Sequence, residues 1–344
     1  MRSIACAEVF ARRIGRTPSS RGRVHTRDNR RVKIDFRGLF PATVLPMTED
    51  AQIDEPALRG YMRHVAESTI HGVAINVDTG EAAHLSHEER VRVIEIVVDE
   101  IGDRLPVIAG LPAQFTEQAI AFGRDYKAAG ASALLVFPLS AFQGAPLDAE
   151  MVVRYHSALG DRVGLPLVLF NLLPSLGGVL FTAEIIQRLC SLAPVMAIKD
   201  ASFDAQIFVE VVAAVRQVRR PVAILTGDDP FIYESFVLGA DGALLGFGAV
   251  PTRQLAEMVD LAVAGRLAES KTIMDRLAPL ERALFAAPVR NYRARAKEAL
   301  VMQGILQRAK VREPLLPVSE DDRHAIHKAL VAAGELEQKV TAKT

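Results

Sequence analysis

Short apolar runs alternate with longer segments of helical period along most of this 344-residue chain. Eight such rounds follow one another from residue 38 onward. The predicted strands are 39–45, 72–77, 106–109, 132–137, 166–170, 195–199, 222–226 and 242–247. Because these runs are continuously apolar, they are typical of parallel strands covered on both faces. Eight strand-helix units in about 230 residues predict a closed (β/α)8 barrel, the TIM barrel of the α/β class.

Helix-start signals support the same arrangement. Asp54 precedes Pro56 at one predicted helix start, and Ser86 and Glu89 form a capping box at the next. The predicted helices lie near 54–69, 86–101, 116–129, 148–160, 182–192, 203–218, 230–239 and 252–265. An open doubly wound sheet is the main alternative, but its Gly-x-Gly-x-x-Gly turn is absent after the first strand.

The strands stop after residue 265, and three further helices are predicted at 267–285, 287–304 and 319–334. We therefore divide the chain into a basic N-terminal extension at 1–33, the barrel at 34–265 and a C-terminal helical extension at 266–344. The first segment holds nine arginines and Lys33 against two acidic residues. We interpret it as a disordered extension, with a targeting peptide as the alternative.

Charge and composition narrow the possible partners. Residues 34–344 carry 31 basic and 39 acidic side chains, which argues against nucleic acid as a partner. No uninterrupted apolar stretch is long enough to span a membrane. The two cysteines, Cys6 and Cys190, form neither a disulfide framework nor a thiolate metal site, and we expect a cytoplasmic protein.

Lys199 follows the apolar run Val195–Ile198 at the end of the sixth predicted strand. Catalytic groups of (β/α)8 barrels lie at the carboxyl ends of the strands. An amine in a dry pocket loses the hydration that favours its ammonium form, so its pKa falls and it can attack a ketone. We expect Lys199 to form a Schiff base; the alternative is a lysine that only solubilises the rim.

Two other strand ends carry polar motifs. Asp78, Thr79 and Gly80 follow the second strand, where a glycine lets backbone amides approach a ligand and a threonine hydroxyl can donate to a carboxylate. The run Thr226–Pro230 follows the seventh strand, and we interpret its two aspartates as caps of the next helix.

In this order and spacing, the motifs resemble the dihydrodipicolinate synthase and N-acetylneuraminate lyase superfamily of Schiff-base aldolases and dehydratases. The strongest matches are Asp78–Glu89, Ile198–Asp200 and Thr226–Asp229. The resemblance implies a homotetramer or dimer that joins Lys199 to pyruvate or another 2-oxo acid, with no metal or organic cofactor. It further implies that Thr79 and the amides around Gly80 hold the substrate carboxylate. Two other implied pocket residues are Phe170 and Leu244.

The departures from the family pattern concern proton transfer and the second substrate. The catalytic tyrosine position is Phe170, which cannot carry a proton, and the interface tyrosine position falls on or beside Leu139 or Ser140. Asp78 replaces a threonine, and we hypothesise that it takes over proton transfer, the alternative being that it only binds turn amides. The carboxylate-binding arginine of the synthases corresponds to Leu176, or its position is displaced by the extra residue before Pro174. Either alternative predicts a different second substrate.

Two other functions stay open at this point. A metal-dependent aldolase could use Asp78, Glu81 and His84, which have suitable ligand types and spacing. A non-catalytic 2-oxo acid binding protein could form the adduct at Lys199 without turnover. The residues do not decide between condensation, cleavage and dehydration.

Overall fold

The computed structural model describes residues 34–337, in which eight short parallel strands form a barrel. The prediction for residues 1–33 lies outside this range. The strands are β1 Leu39–Pro41, β2 Val73–Ile75, β3 Val107–Leu111, β4 Ala133–Val136, β5 Leu167–Leu172, β6 Val195–Ala201, β7 Ala223–Thr226 and β8 Gly242–Leu245.

The strands are hydrogen-bonded in the order β1-β8-β7-β6-β5-β4-β3-β2, and every pair is parallel. The ring closes between β1 and β2 through a parallel bridge from Ala42 to Ala74, where the Thr43 amide donates to the Ala74 carbonyl at 3.0 Å. Both sheet edges are thereby satisfied. The predicted (β/α)8 barrel is confirmed.

Eight helices alternate with the strands, and three more follow. The barrel helices are α1 Glu55–Val65, α2 His87–Ile101, α3 Thr116–Ala128, α4 Ala149–Val163, α5 Ala183–Cys190, α6 Ala205–Arg216, α7 Ile232–Leu238 and α8 Thr252–Val263. The C-terminal extension contains α9 Leu267–Leu284, α10 Tyr292–Met302 and α11 Glu320–Ala333. Both predicted caps form: Asp54 accepts from the Ala57 amide, and Ser86 with Glu89 makes the capping box. No helix among residues 34–337 is long and apolar enough to cross a bilayer.

Strands β5 and β6 each extend two residues beyond their predicted ends. Their ladder continues through the pairs Phe170–Lys199, Asn171–Asp200 and Leu172–Ala201. Polar residues enter this ladder because their side chains find partners inside the barrel mouth, which a search for apolar runs does not detect. Lys199 consequently lies within β6, held on both sides by neighbouring strands.

The apolar core has two layers. One fills the space between strands and helices, and the other fills the barrel interior. The interior layer includes Phe40, Ile108, Leu135, Val168, Leu225 and Leu244, all with no exposed surface. This packed interior closes the amino-terminal part of the barrel, so that a ligand has access only at the opposite end.

A buried ion pair attaches the C-terminal extension to the barrel. The Lys297 ammonium on α10 contacts Glu81, in the turn after β2, and neither side chain has exposed surface. Lys297 also donates to the Lys310 carbonyl at 2.6 Å, while the second Glu81 oxygen accepts from the Arg312 amide at 2.9 Å. Three segments distant in sequence therefore meet at one carboxylate.

We expect Lys297→Met to lower the free energy of unfolding by about 3–5 kcal/mol, because it leaves the Glu81 carboxylate buried without a cation. Urea unfolding followed by circular dichroism measures the change. Lys271→Met is the matched control, since Lys271 pairs with Asp275 on the surface, where both side chains are more than half exposed. Its cost should stay within about 1 kcal/mol. An equal decrease in the free energy of unfolding in both variants would show that the buried pair contributes no more to stability than the exposed pair.

Candidate active site

A cavity opens at the carboxyl end of the strands. Its wall comes from the ends of β2, β5, β6, β7 and β8 and from the segment that joins α9 to α10. The lining residues are Val77, Asp78, Thr79, Phe170, Leu172, Leu176, Lys199, Ala201, Phe203, Gly227, Asp229, Gly246, Phe285, Val289 and Tyr292. Apolar side chains predominate, which makes this cavity suited to a small organic ligand.

Lys199 reaches this cavity from β6 and is only 8% exposed. Burial lowers the pKa of its amine, and the nearby carboxyl groups of Asp229 and Asp78 act in the opposite direction. The Nζ atom lies 4.4 Å from the centre of the Phe170 ring. An aromatic face on one side and a packed barrel on the other keep water from the amine, which favours its neutral, nucleophilic form.

Gly227 provides the space that Lys199 occupies. A Cβ atom added at Gly227 would lie 2.2 Å from the Lys199 Cε atom and 2.7 Å from the Asp200 carbonyl oxygen. Neither contact is sterically possible, and the backbone oxygen cannot move aside. The glycine after β7 is therefore required by the lysine on β6.

Asp228 and Asp229 do not cap a helix with their side chains, so that interpretation of the sequence was wrong. Both are buried, and both are turned toward the barrel mouth. The Asp228 Oδ1 atom accepts from the Phe203 amide at 2.8 Å, and Asp229 Oδ1 accepts from the Phe247 amide at 2.8 Å. The motif links three strand ends instead of starting the next helix.

Asp200 and Asp228 form a buried acid pair behind Lys199. Asp200 accepts from Asn171 Nδ2 at 2.5 Å and from Ser202 Oγ at 2.6 Å, whereas Asp228 Oδ2 has no donor among the described residues. Burial, together with the charge of Asp200, raises the pKa of Asp228 to about 9. We assign the proton to Asp228, which then donates to Asp200 and satisfies the Oδ2 atom.

Asp229 is the buried carboxyl group with the strongest electrostatic effect on Lys199. Burial raises its pKa to about 7, although the backbone amides of Phe247 and Gly246 work against this rise. It lines the cavity and titrates near neutrality. Because a neutral Asp229 favours a neutral amine, the two groups are coupled.

Tyr292 and Arg293 bring α10 to the cavity. The Tyr292 hydroxyl donates to Asp78 Oδ2 at 3.0 Å and lies 3.1 Å from Thr79 Oγ1. The Arg293 guanidinium binds the Asp78 carboxylate and also donates to the Asp78 carbonyl at 2.8 Å. Sequence reasoning missed both residues. The one available signal was that the apolar periodicity of α10 is weak, with four charged residues within its first seven positions.

The predicted site residues are distributed as follows. Asp78, Thr79, Phe170 and Lys199 line one cavity. Gly80 does not line it: its amide donates to the Val77 carbonyl at 3.1 Å and is engaged in the turn.

Leu244 is also displaced from its expected position, because it packs in the barrel interior and leaves the cavity wall to Gly246. The β8 ladder ends at Leu245, so the residue that faces the cavity is the one that follows the strand. Leu176, the position that corresponds to the family's arginine, lines the cavity with an apolar side chain.

The structure does not support the alternative of a metal site at Asp78, Glu81 and His84. Asp78 is engaged by Tyr292 and Arg293, and Glu81 by Lys297 and Arg312. His84 Nδ1 lies 3.9 Å from Glu81, with no third ligand. Within residues 34–337 no three side chains of His, Cys, Asp or Glu converge as metal ligands. The carboxylates of the motif instead bind cationic side chains.

Fold and site together define a (β/α)8 barrel protein with a buried, desolvated lysine in its mouth and a C-terminal helical cap. The chain belongs to the Dihydrodipicolinate synthetase family, whose profile matches residues 35–333. A 4-hydroxy-tetrahydrodipicolinate synthase of Methylobacterium radiotolerans is 32% identical over 306 residues, which cover 88% of this chain and 97% of that relative. The synthase of Syntrophus aciditrophicus is 31% identical over 86% of this chain and 97% of its own length.

Solved structures show the same architecture. The dihydrodipicolinate synthase of Thermotoga maritima has a TM-score of 0.80 at 25% identity, covering 88% of this chain and 99% of its own. The chloride-inhibited dihydrodipicolinate synthase of Acinetobacter baumannii, solved with pyruvate, has a TM-score of 0.77 at 28% identity and covers 88% of this chain and all of its own. The oligomeric state of this protein stays a prediction, since one solved structure with this fold is of a monomeric synthase variant.

We expect stability to fall as the pH rises from about 4 to 9, because Asp228 keeps its proton only in the folded protein. Through Asp228 alone the native state binds one more proton than the unfolded chain in that window, so this group contributes a loss of up to about 1.4 kcal/mol per pH unit. Asp228→Asn supplies a permanent donor to Asp200 and should flatten this decline. Urea unfolding between pH 5 and 9 compares the two proteins. Parallel slopes for both would mean that Asp228 does not hold the proton.

Proposed function

We propose that this protein is a class I lyase, an aldolase or dehydratase that binds pyruvate or another 2-oxo acid covalently through Lys199. The observation that carries the proposal is the position of Lys199, a lysine with a lowered pKa that is buried in the barrel mouth and lines the cavity. Its relatives are 4-hydroxy-tetrahydrodipicolinate synthases, and the A. baumannii enzyme is described in complex with pyruvate.

The chemistry follows from the neutral amine. Its lone pair attacks the carbonyl carbon C2, and the carbinolamine then loses water to give a protonated imine. The imine nitrogen accepts an electron pair when a proton leaves C3, or when the bond between C3 and C4 breaks. Thr79 is placed to hold the substrate carboxylate: it lines the cavity, and its amide makes no hydrogen bond within residues 34–337.

Borohydride reduction in the presence of pyruvate should add the mass of one reduced pyruvate, and peptide mapping should locate it at Lys199. Gly227→Ala should abolish this labelling, because the new methyl group takes the space of the Lys199 side chain. Gly60→Ala on α1 is the control, since its Cβ atom would meet nothing closer than 3.9 Å.

Wild-type protein that gains no mass with pyruvate or with longer 2-oxo acids would refute the proposed function. Unchanged labelling in Gly227→Ala would place Lys199 elsewhere than in this cavity. Thermal unfolding of both variants separates a blocked lysine from a misfolded barrel.

The second substrate is proposed to carry an apolar group instead of a carboxylate. Leu172, Leu176 and Phe203 form one side of the cavity, with Phe285 and Val289 opposite on the C-terminal extension. No arginine or histidine among the described residues lines it. A second carboxylate would therefore lose its hydration without gaining a cation. Aromatic and branched aliphatic aldehydes fit this chemistry, whether as acceptors in condensation or as products of cleavage.

Pyruvate condensation with benzaldehyde or isovaleraldehyde should exceed condensation with aspartate semialdehyde by about tenfold or more in kcat/KM. Leu176→Arg should reverse the preference, because it introduces a cation for a carboxylated aldehyde. Leu316→Arg controls for an added charge, since Leu316 is exposed and does not line the cavity. Product formation is measured by liquid chromatography with mass detection. Aspartate semialdehyde as the best substrate of the unmodified protein would contradict the apolar specificity.

A further inference from the structure

A Schiff-base lyase needs a group that transfers protons to and from the substrate. The resemblance implies a tyrosine for this role at the end of β5, and this chain has Phe170 there. Two hydroxyl-bearing side chains line the cavity in residues 34–337, Thr79 and Tyr292. Thr79 belongs to the turn after β2, but Tyr292 is the first residue of α10 and comes from outside the barrel.

The hydroxyl groups form a directed chain. Tyr292 Oη donates to Asp78 Oδ2 at 3.0 Å, so it accepts from Thr79 Oγ1 at 3.1 Å. The phenol thus donates its proton to a carboxylate, and its oxygen still has a lone pair that can accept a proton from a ligand in the cavity.

The Tyr292 ring is held rigidly. It stacks on Phe285 with ring centres 4.9 Å apart and planes inclined by 17°. On another side Gly246 lets it approach closely, since an added Cβ atom would lie 3.2 Å from both Tyr292 Cε2 and Thr79 Oγ1. A catalytic hydroxyl needs this kind of fixed position, because small displacements of a reacting group cost much of the rate.

Arg293 holds the Asp78 carboxylate in place. Its guanidinium binds Asp78 Oδ1, and its Nε atom donates to the Asp78 carbonyl at 2.8 Å. These two contacts fix the position of the Asp78 carboxylate beside the Tyr292 hydroxyl. Burial and the charge of Asp78 raise the pKa of Tyr292 well above its usual value, so phenolate does not accumulate and proton transfer must pass through to Asp78.

We propose that Tyr292 is the catalytic residue that transfers protons between the Lys199-bound 2-oxo acid and Asp78. This inference rests on the proposed function. In the forward step the bond between C3 and hydrogen breaks, its electron pair forms the C2=C3 bond of the enamine, and the imine π pair moves to nitrogen. The proton goes to Tyr292 Oη as the phenol proton moves to Asp78 Oδ2. The reverse sequence reprotonates C3.

Exchange of the pyruvate methyl protons in D₂O, followed by proton NMR, tests this step without knowledge of the second substrate. Tyr292→Phe should keep borohydride labelling at Lys199 but exchange about 100-fold more slowly than wild type, the usual scale of lost acid-base catalysis. Tyr155→Phe is the matched control. The Tyr155 hydroxyl is buried on α4 without a partner in the described chain, and the side chain does not line the cavity.

Two further variants extend the test. One removes the proposed proton acceptor, Asp78, and the other removes the second carboxyl group of the cavity, Asp229. Asp78→Asn keeps an oxygen acceptor for Tyr292 but removes the proton acceptor, so exchange should fall while labelling persists. Asp229→Asn removes the other cavity carboxyl group; because Asp229 also acts on the charge of Lys199, its exchange is compared per labelled Lys199, and a loss there without one in Asp78→Asn would identify Asp229 as the proton acceptor.

The outcomes are distinguishable. Wild-type protein without labelling refutes the proposed function and this inference together. If Tyr292→Phe is labelled and exchanges as fast as wild type, Tyr292 does not transfer the proton, although the Schiff base forms. The same conclusion follows if all variants are labelled and only Asp229→Asn loses exchange. Labelling of wild type without any exchange would make the protein a 2-oxo acid binder and also refute the proton transfer.

Discussion

The desolvation of one amine is the constraint on which the site depends. Lys199 is inserted in a parallel ladder, with Phe170 beside it on β5 and Leu225 on β7. Four acidic residues surround it, at Asp78, Asp200, Asp228 and Asp229, and four ionised carboxylates would return the amine to its charged form. Burial opposes this by raising the pKa of the last three. The same dry environment that lowers the pKa of the lysine thus also weakens its counter-charges.

The C-terminal extension completes the mouth of the barrel. Lys297 anchors it on Glu81, and one helical turn earlier Tyr292 and Arg293 reach Asp78 and Thr79. The turn after β2 therefore contacts α10 through two cavity residues, Asp78 and Thr79, and through the buried Glu81. In this chain Phe170 has no hydroxyl group on β5, and a hydroxyl from α10 lies in the same cavity.

Much of the site could be predicted, because in a parallel barrel the residues that follow apolar runs converge at one end. Lys199, Asp78 and Thr79 were located in this way and Phe170 through the family resemblance, and all four line the cavity. The aspartates after β7 were misinterpreted, since Asp before Pro is good capping chemistry and only burial distinguishes the two roles. Gly80 and Leu244 were misplaced by one or two residues, which is enough to move a side chain from a cavity to a turn or a core.

The alternation of apolar and helical segments by itself determined the barrel, and the family motifs determined where its reactive amine lies. Both are local patterns in the sequence. In a parallel barrel the order of strands and helices then fixes where the residues at the strand ends lie. Tertiary structure alone decided that Tyr292 reaches Asp78 across 214 residues of sequence separation and that Asp228 holds a proton against Asp200. Such contacts depend on packing between distant segments and on the exclusion of water, and neither leaves a periodic trace in the order of residues.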